Sequence, residues 1–192
     1  MGRLKQFDPD AAVSAAVDLF WRQGYGATTP AALVDALGIG KGSLYNAFAS
    51  KHALFEQALR RYGDDRVAGL LAMLNRPGPV RARLQAALER LAAPELAPLR
   101  RRGCLAVNTA AELGDQDADA TAIVRDIFKR MEQALRVTIE EGQRGGEIAA
   151  ERDAQALATL LLAMILGMTV IAKTDARPEG LRRIVRAAMA AV

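Results

Sequence analysis

The chain has 192 residues, of which 51% are hydrophobic and only 5% aromatic, with 26 Lys and Arg against 22 Asp and Glu for a formal net charge of +4. That is enough chain for two helical units with cores of their own, and abundant alanine with few aromatics argues against a sheet protein. Cys104 is the only cysteine, which excludes an internal disulfide, and the opening MGRLKQFD lacks the apolar centre of a signal peptide, so the expected location is the cytoplasm.

In chain order, Asp8 is placed to cap a helix from about residue 9 to residue 23, with Pro9 at its first position. Val13, Ala16, Val17, Phe20, Trp21 and Gly24 recur at three- and four-residue steps, so this helix builds a core, and Trp21 is expected to pack in or at the edge of the first unit, not to serve as a ligand platform. Gly24 and Gly26 make an exit turn around Tyr25, which closes the unit from below. Thr29 caps a second helix that begins at Pro30 and turns Leu33, Val34 and Leu37 inward. Gly38 follows, where a left-handed backbone costs nothing, and Ile39 pins the corner. A third helix, from about Lys41 to Ala47, sends Leu44 and Phe48 inward and leaves Lys41, Ser43, Tyr45, Asn46 and Ala47 outside. Two short helices around a tight glycine turn, the second of them polar, make a helix-turn-helix whose second helix enters the major groove of DNA.

The residues Gly24-Tyr25, Thr28-Thr29, Leu37-Gly38-Ile39, Lys41 to Tyr45, Phe48, Ser50-Lys51 and Leu54-Phe55 resemble the amino-terminal domain of the TetR/AcrR family of bacterial transcriptional regulators, over roughly residues 7 to 55. The resemblance implies an all-α protein: a three-helix DNA-binding domain over residues 1–50, followed by a larger helical effector-binding and dimerisation domain over 51–192. It implies as partners double-stranded DNA with a near-palindromic operator, a second copy of the chain and a small-molecule effector, with no cofactor, metal or membrane. The DNA contacts expected are Lys41 and Asn46 on base edges or phosphates, Gly42 allowing close approach, Ser43 on either, and Tyr45, Lys51 and Thr29 on the phosphate backbone. Ala31 and Ala32 replace the polar or basic residues that many members carry there, and Ala47 is small, so base reading rests on fewer side chains. Residues 1–65 carry seven basic and seven acidic side chains, so bulk charge lends DNA binding little support. Arg3 and Lys5 are either a short arm reaching the duplex or a frayed terminus.

Ser50 caps a long helix from Lys51 to Leu74, with Leu54, Phe55, Ala58, Leu59 and Tyr62 facing the first domain and Val67, Leu70, Leu71 and Leu74 facing the second. His52, the single histidine, is expected in solvent. Asn75 to Pro79 stops the helix, and further helices are expected near 80–92, 103–113, 118–142, 154–174 and 179–191, with a break around Pro94 and Pro98. Arg100-Arg101-Arg102 is read as a solvated turn. Asp115, Asp117 and Asp119 have calcium-loop spacing, but Ala120 stands where the glycine belongs and the bidentate Glu is missing, so they are read as a helix-capping loop.

Arg102 to Leu105 with Asn108 and Glu112 resembles the ligand domain of one subgroup of the family. Cys104 is either a pocket or oxidant-sensing thiol or a small buried residue. The effector pocket is expected among Cys104, Asn108, Ile127, Phe128, Met131 and Leu135, each of which also fits an ordinary core. Leu157 to Ala172 is the most apolar run, and at roughly 16 residues it falls short of the roughly 20 that span a membrane. It is expected to be buried on both faces, with Leu160, Met164, Gly167 and Met168 joining Leu181, Ile184, Val185 and Ala188 in an intermolecular four-helix bundle. One histidine, one cysteine and no nucleotide-loop or metal-ligand pattern argue against an enzyme. The expected function is a repressor released from its operator by a small molecule; the alternative is an effector-binding or interaction module with lost or weak DNA binding.

Overall fold

The computed structural model describes residues 8–90, 101–174 and 177–192. Among them run nine α-helices and no strand: α1 (Pro9–Gln23), α2 (Pro30–Leu37), α3 (Lys41–Phe48), α4 (Lys51–Leu74), α5 (Val80–Arg90), α6 (Leu105–Leu113), α7 (Ala118–Arg144), α8 (Ala154–Thr174) and α9 (Pro178–Ala191). Arg3 and Lys5, the expected end of α5, the breaks at Pro94 and Pro98, and Arg100 lie outside the described residues.

Three of the first four helices, α1, α2 and α4, begin on a side-chain cap. Asp8 accepts the Asp10 N–H at 3.0 Å, Thr29 accepts the Ala32 N–H at 3.1 Å and Ser50 accepts the Ala53 N–H at 2.9 Å. Each such cap stabilises its helix by about 1 kcal/mol. Gly38 takes φ 62°, the left-handed stop between α2 and α3. Phe20, Leu33, Leu44, Phe48, Leu54 and Phe55 are buried together, with the Phe20 and Phe55 rings edge to face at 5.0 Å.

The 24-residue α4 leaves this small core and enters a larger one. It crosses α7 closely because Gly63 has no side chain: a Cβ there would overlap Ile127 Cγ1. α7 lays its buried stripe, including Ile127, Leu135 and Ile139, against α4 and α8, and α9 folds back on α8 and α5. Arg83, buried on α5, donates to the Leu74 carbonyl at 2.7 Å and pairs with Glu141, so the end of α4 is held by a charged donor. The expected inward set on α4 holds for Val67, Leu70 and Leu74, but Leu71 is 38% exposed, one position off the stripe.

Candidate functional site

The outer face of α3 is open. Lys41, Gly42, Ser43, Tyr45, Asn46 and Ala47 are all exposed, while Leu44 and Phe48 alone anchor the helix to the core. A Cβ on Gly42 would meet nothing within 4 Å, so its missing side chain serves something outside the chain or nothing. Thr29 is exposed but already spends its hydroxyl on its own helix. Lys51 is half-buried at the start of α4, with its ammonium 4.2 Å from the centroid of the Tyr25 ring. That contact fixes where the charge sits.

Three contacts tie this reading head to the larger domain, and a fourth, from His52 at the start of α4, joins the same seam; the sequence reading placed none of them. The Glu112 carboxylate on α6 accepts the Tyr25 N–H at 3.0 Å and the Gly26 N–H at 2.6 Å. The Trp21 indole N–H donates to the Gly103 carbonyl at 3.2 Å, and Arg102 pairs with Asp18 at 2.6 Å while lying 5.7 Å from the Trp21 ring. His52 is only partly in solvent: its two ring nitrogens face Asp117 at 2.7 Å and Glu56 at 3.1 Å, with the Tyr25 ring edge-on. The capping reading of the acidic loop holds at Asp117, whose carboxylate accepts the Ala120 N–H at 2.9 Å at the start of α7. That bond, followed by His52, keeps its carboxyl below the usual range against the cost of burial. Arg101 and Arg102 do lie in a turn, with Arg101 exposed and Arg102 half-buried through its pairing with Asp18.

Behind these ties lies a cavity of about 390 Å³ bounded by α1, α4, α5, α7 and α8. Its wall includes Trp21, Arg66, Leu70, Met73, Ile165 and Met168, with room left by Gly69, Ala87 and Ala172. Of the six residues expected to line a pocket, only Met131 does. Ile127 and Leu135 are spent in the α7 packing, Phe128 is half-buried, and Asn108 bonds the Arg102 carbonyl at 2.9 Å and the Lys173 ammonium at 3.0 Å. Cys104 is buried beside Tyr62, whose phenol is pushed up by that burial and then by the thiol. Trp21, expected only to pack, is part of the cavity wall. The missed signal was the coincidence of small residues on facing helices, which single-helix periodicity does not reveal.

The expected dimer residues divide in two. Met168, Leu181, Val185 and Ala188 are buried within their own chain and cannot also form a surface. Leu160 is 37% exposed, and Met164, Gly167 and Ile184 are half-buried. Val170 and Ile171, at 48% and 43% exposed, extend the Leu160 side into an apolar outer face of α8. At 21 residues and a mean hydropathy of 2.1 over its most apolar window, α8 is long and apolar enough to cross a membrane by length and composition alone, so the shortfall expected from sequence does not hold. Only 28% of that window is buried, so the expected cover on both faces is present on one.

An exposed polar helix behind a glycine turn, carried on a long helix into an all-helical domain with its own cavity, defines a helix-turn-helix DNA-binding regulator. The sequence pattern of bacterial regulatory proteins of the tetR family matches residues 12–58, and the tetracyclin repressor-like C-terminal domain matches 81–188. The HTH-type transcriptional repressor ComR of Escherichia coli (strain K12) is 33% identical over 95% of this chain and 88% of its own length. The uncharacterized HTH-type transcriptional regulator YezE of Bacillus subtilis (strain 168) is 29% identical, covering 95% and 94%. Among solved structures, a cysteine mutant of the TetR family transcriptional regulator CifR complexed with 26bp double-strand operator DNA superposes with a TM-score of 0.82 at 29% identity, covering 98% of each chain. The chain belongs to the TetR family and is a DNA-binding transcriptional regulator.

Proposed function

We propose that the chain is a homodimeric, cytoplasmic repressor that holds a near-palindromic operator and leaves it when a small molecule fills the cavity. It acts by binding, not by catalysis. Residues 1–50 read DNA, with Lys41, Gly42, Ser43 and Asn46 toward the bases and Thr29, Tyr45 and Lys51 toward phosphate; residues 51–192 bind effector and partner. The observation that carries the reading is the open polar face of α3, whose exposed side chains make no ion pair among the described residues. ComR and CifR, a repressor and a protein seen on operator DNA, support it by likeness.

The cavity supports ligand control because Trp21 and Gly103 stand in its wall and bond to each other across the two domains. A ligand that prefers one position of Trp21 shifts α1, and with it the spacing of the two α3 helices in a dimer. The test is selection of bound duplexes from a random-sequence pool with purified protein. One enriched near-palindromic site is the expected result. No enrichment at low or moderate salt would sink the DNA-reading claim and leave the effector module.

A further inference from the structure

We propose that the ligand of this cavity is an amphipathic anion, its acid group paired with Arg66 and its apolar body lying against Leu70, Met73, Met131, Ile165 and Met168. This rests on reading the cavity as the effector site and adds the chemical class of what enters it. The wall is mostly aliphatic and thioether, which suits an apolar body of adaptable shape. Into it α4 sends a half-buried guanidinium, a group that stays charged whatever its surroundings.

Among the described residues, no carboxylate stands at ion-pair distance from Arg66; its close neighbour is the Tyr62 ring, 5.7 Å away. Of the acids next to it on α4, Asp64 faces Arg130 at 2.7 Å, and Asp65, which stands in the cavity wall, is paired with Arg61 at 3.8 Å. Arg83, Arg102, Arg130 and Arg136 all have carboxylate partners within the fold. Other polar groups of the wall are already used: the Trp21 N–H on the Gly103 carbonyl, the Thr169 hydroxyl on the Leu166 carbonyl at 2.7 Å, and Arg90, the wall's other guanidinium, which has a partner of its own. Trp21 therefore offers a ring, and Arg66 is left as the group that orients a guest. A positive charge beside a low-dielectric space favours an anionic head over a neutral one and repels a cation.

Trp21 is the only tryptophan, so its emission reports the cavity directly in the full-length protein. The experiment titrates straight-chain and aryl-substituted carboxylates, the alcohols of matched length and the matched alkylammonium ions, following Trp21 emission and melting temperature. Carboxylates should bind at least about tenfold more tightly than their alcohols, as a charge-assisted pair implies, and the ammonium ions most weakly. Arg66→Gln should erase the preference while alcohols bind as before, and Arg66→Lys should keep part of it. Equal binding of acid and alcohol, or a preference that survives Arg66→Gln, overturns the proposal and leaves the cavity a ligand site. If neither class moves Trp21 emission or the melting temperature, the cavity reading falls with it.

Discussion

The ammonium of Lys51 is held over the Tyr25 ring at the start of α4, so in the proposed reading the phosphate anchor is positioned before DNA arrives. Few other cations accompany it in a first domain without net charge, and its removal should be felt across all sequences, not at one base. Lys51→Ala should lower the slope of log affinity against log salt by about 2 per dimer, one phosphate from each protomer. An unchanged slope in fluorescence anisotropy would remove Lys51 from the interface. Asp117 bears on stability instead. Its depressed carboxyl contributes stability that is present above the ordinary carboxylate value, near 3.9, and is lost as pH falls through the lower folded value. Asn also caps helices well, so Asp117→Asn removes the charge facing His52 and keeps the cap. The melting temperature of the variant should fall below that of the wild type at neutral pH, and the gap should close below about pH 4. A gap that is constant with pH refutes the assignment. Caps such as Thr29 and Ser50 were legible in the sequence because donor and acceptor lie three residues apart. His52 was not, because its partner Asp117 lies 65 residues on and nothing local marks it.

Between α3 and α4 the chain turns on one strained residue. Ala49 has φ 60° and ψ −49°, and the Ser50 N–H bonds the Phe48 carbonyl at 2.6 Å across it, a tight γ-turn that a Cβ disfavours. Ala49→Gly should therefore raise stability by about 1 kcal/mol, or the melting temperature by about 2–4 °C. A fall of that size in a thermal melt would show that the turn is not strained. The same element explains what periodicity could and could not supply. Spans of α1, α2 and α4 follow from caps, proline and apolar spacing, and their ends fall where the residues put them. Which face of α7 would meet a ligand does not follow. Ile127 and Leu135 recur correctly for an inward stripe, but Gly63 lets α4 press against Ile127, and the space opens farther along α4 where Gly69, Ala87 and Ala172 coincide.

At the scale of the molecule, ligand control depends on how firmly the two domains move together. Glu112 grips the turn after α1 through two N–H groups, so a shift of α6 carries Tyr25 and Gly26 with it. Glu112→Ala should weaken the coupling between cavity ligand and duplex affinity by about 0.5–2 kcal/mol while the ligand still quenches or enhances Trp21. Full coupling in the variant would show that the signal takes another path. The partner surface is set by what folding has not already used. α9 has a single apolar stripe, Leu181, Val185 and Ala188, and a single stripe is buried once, here against its own chain. α8 is apolar all round and so retains a second face at Leu160, Val170 and Ile171, with Ala163 exposed and Gly167 having open space at its Cβ. A two-fold interface repeats every residue, so one charge placed there is felt twice. Val170→Glu should leave each chain folded, since the position is 48% exposed, yet convert a dimer to a monomer in sedimentation at micromolar concentration and cost the tight binding that two half-sites give together. A folded dimer in that variant would move the interface elsewhere, and a wild-type monomer at the same concentration would remove the need for one.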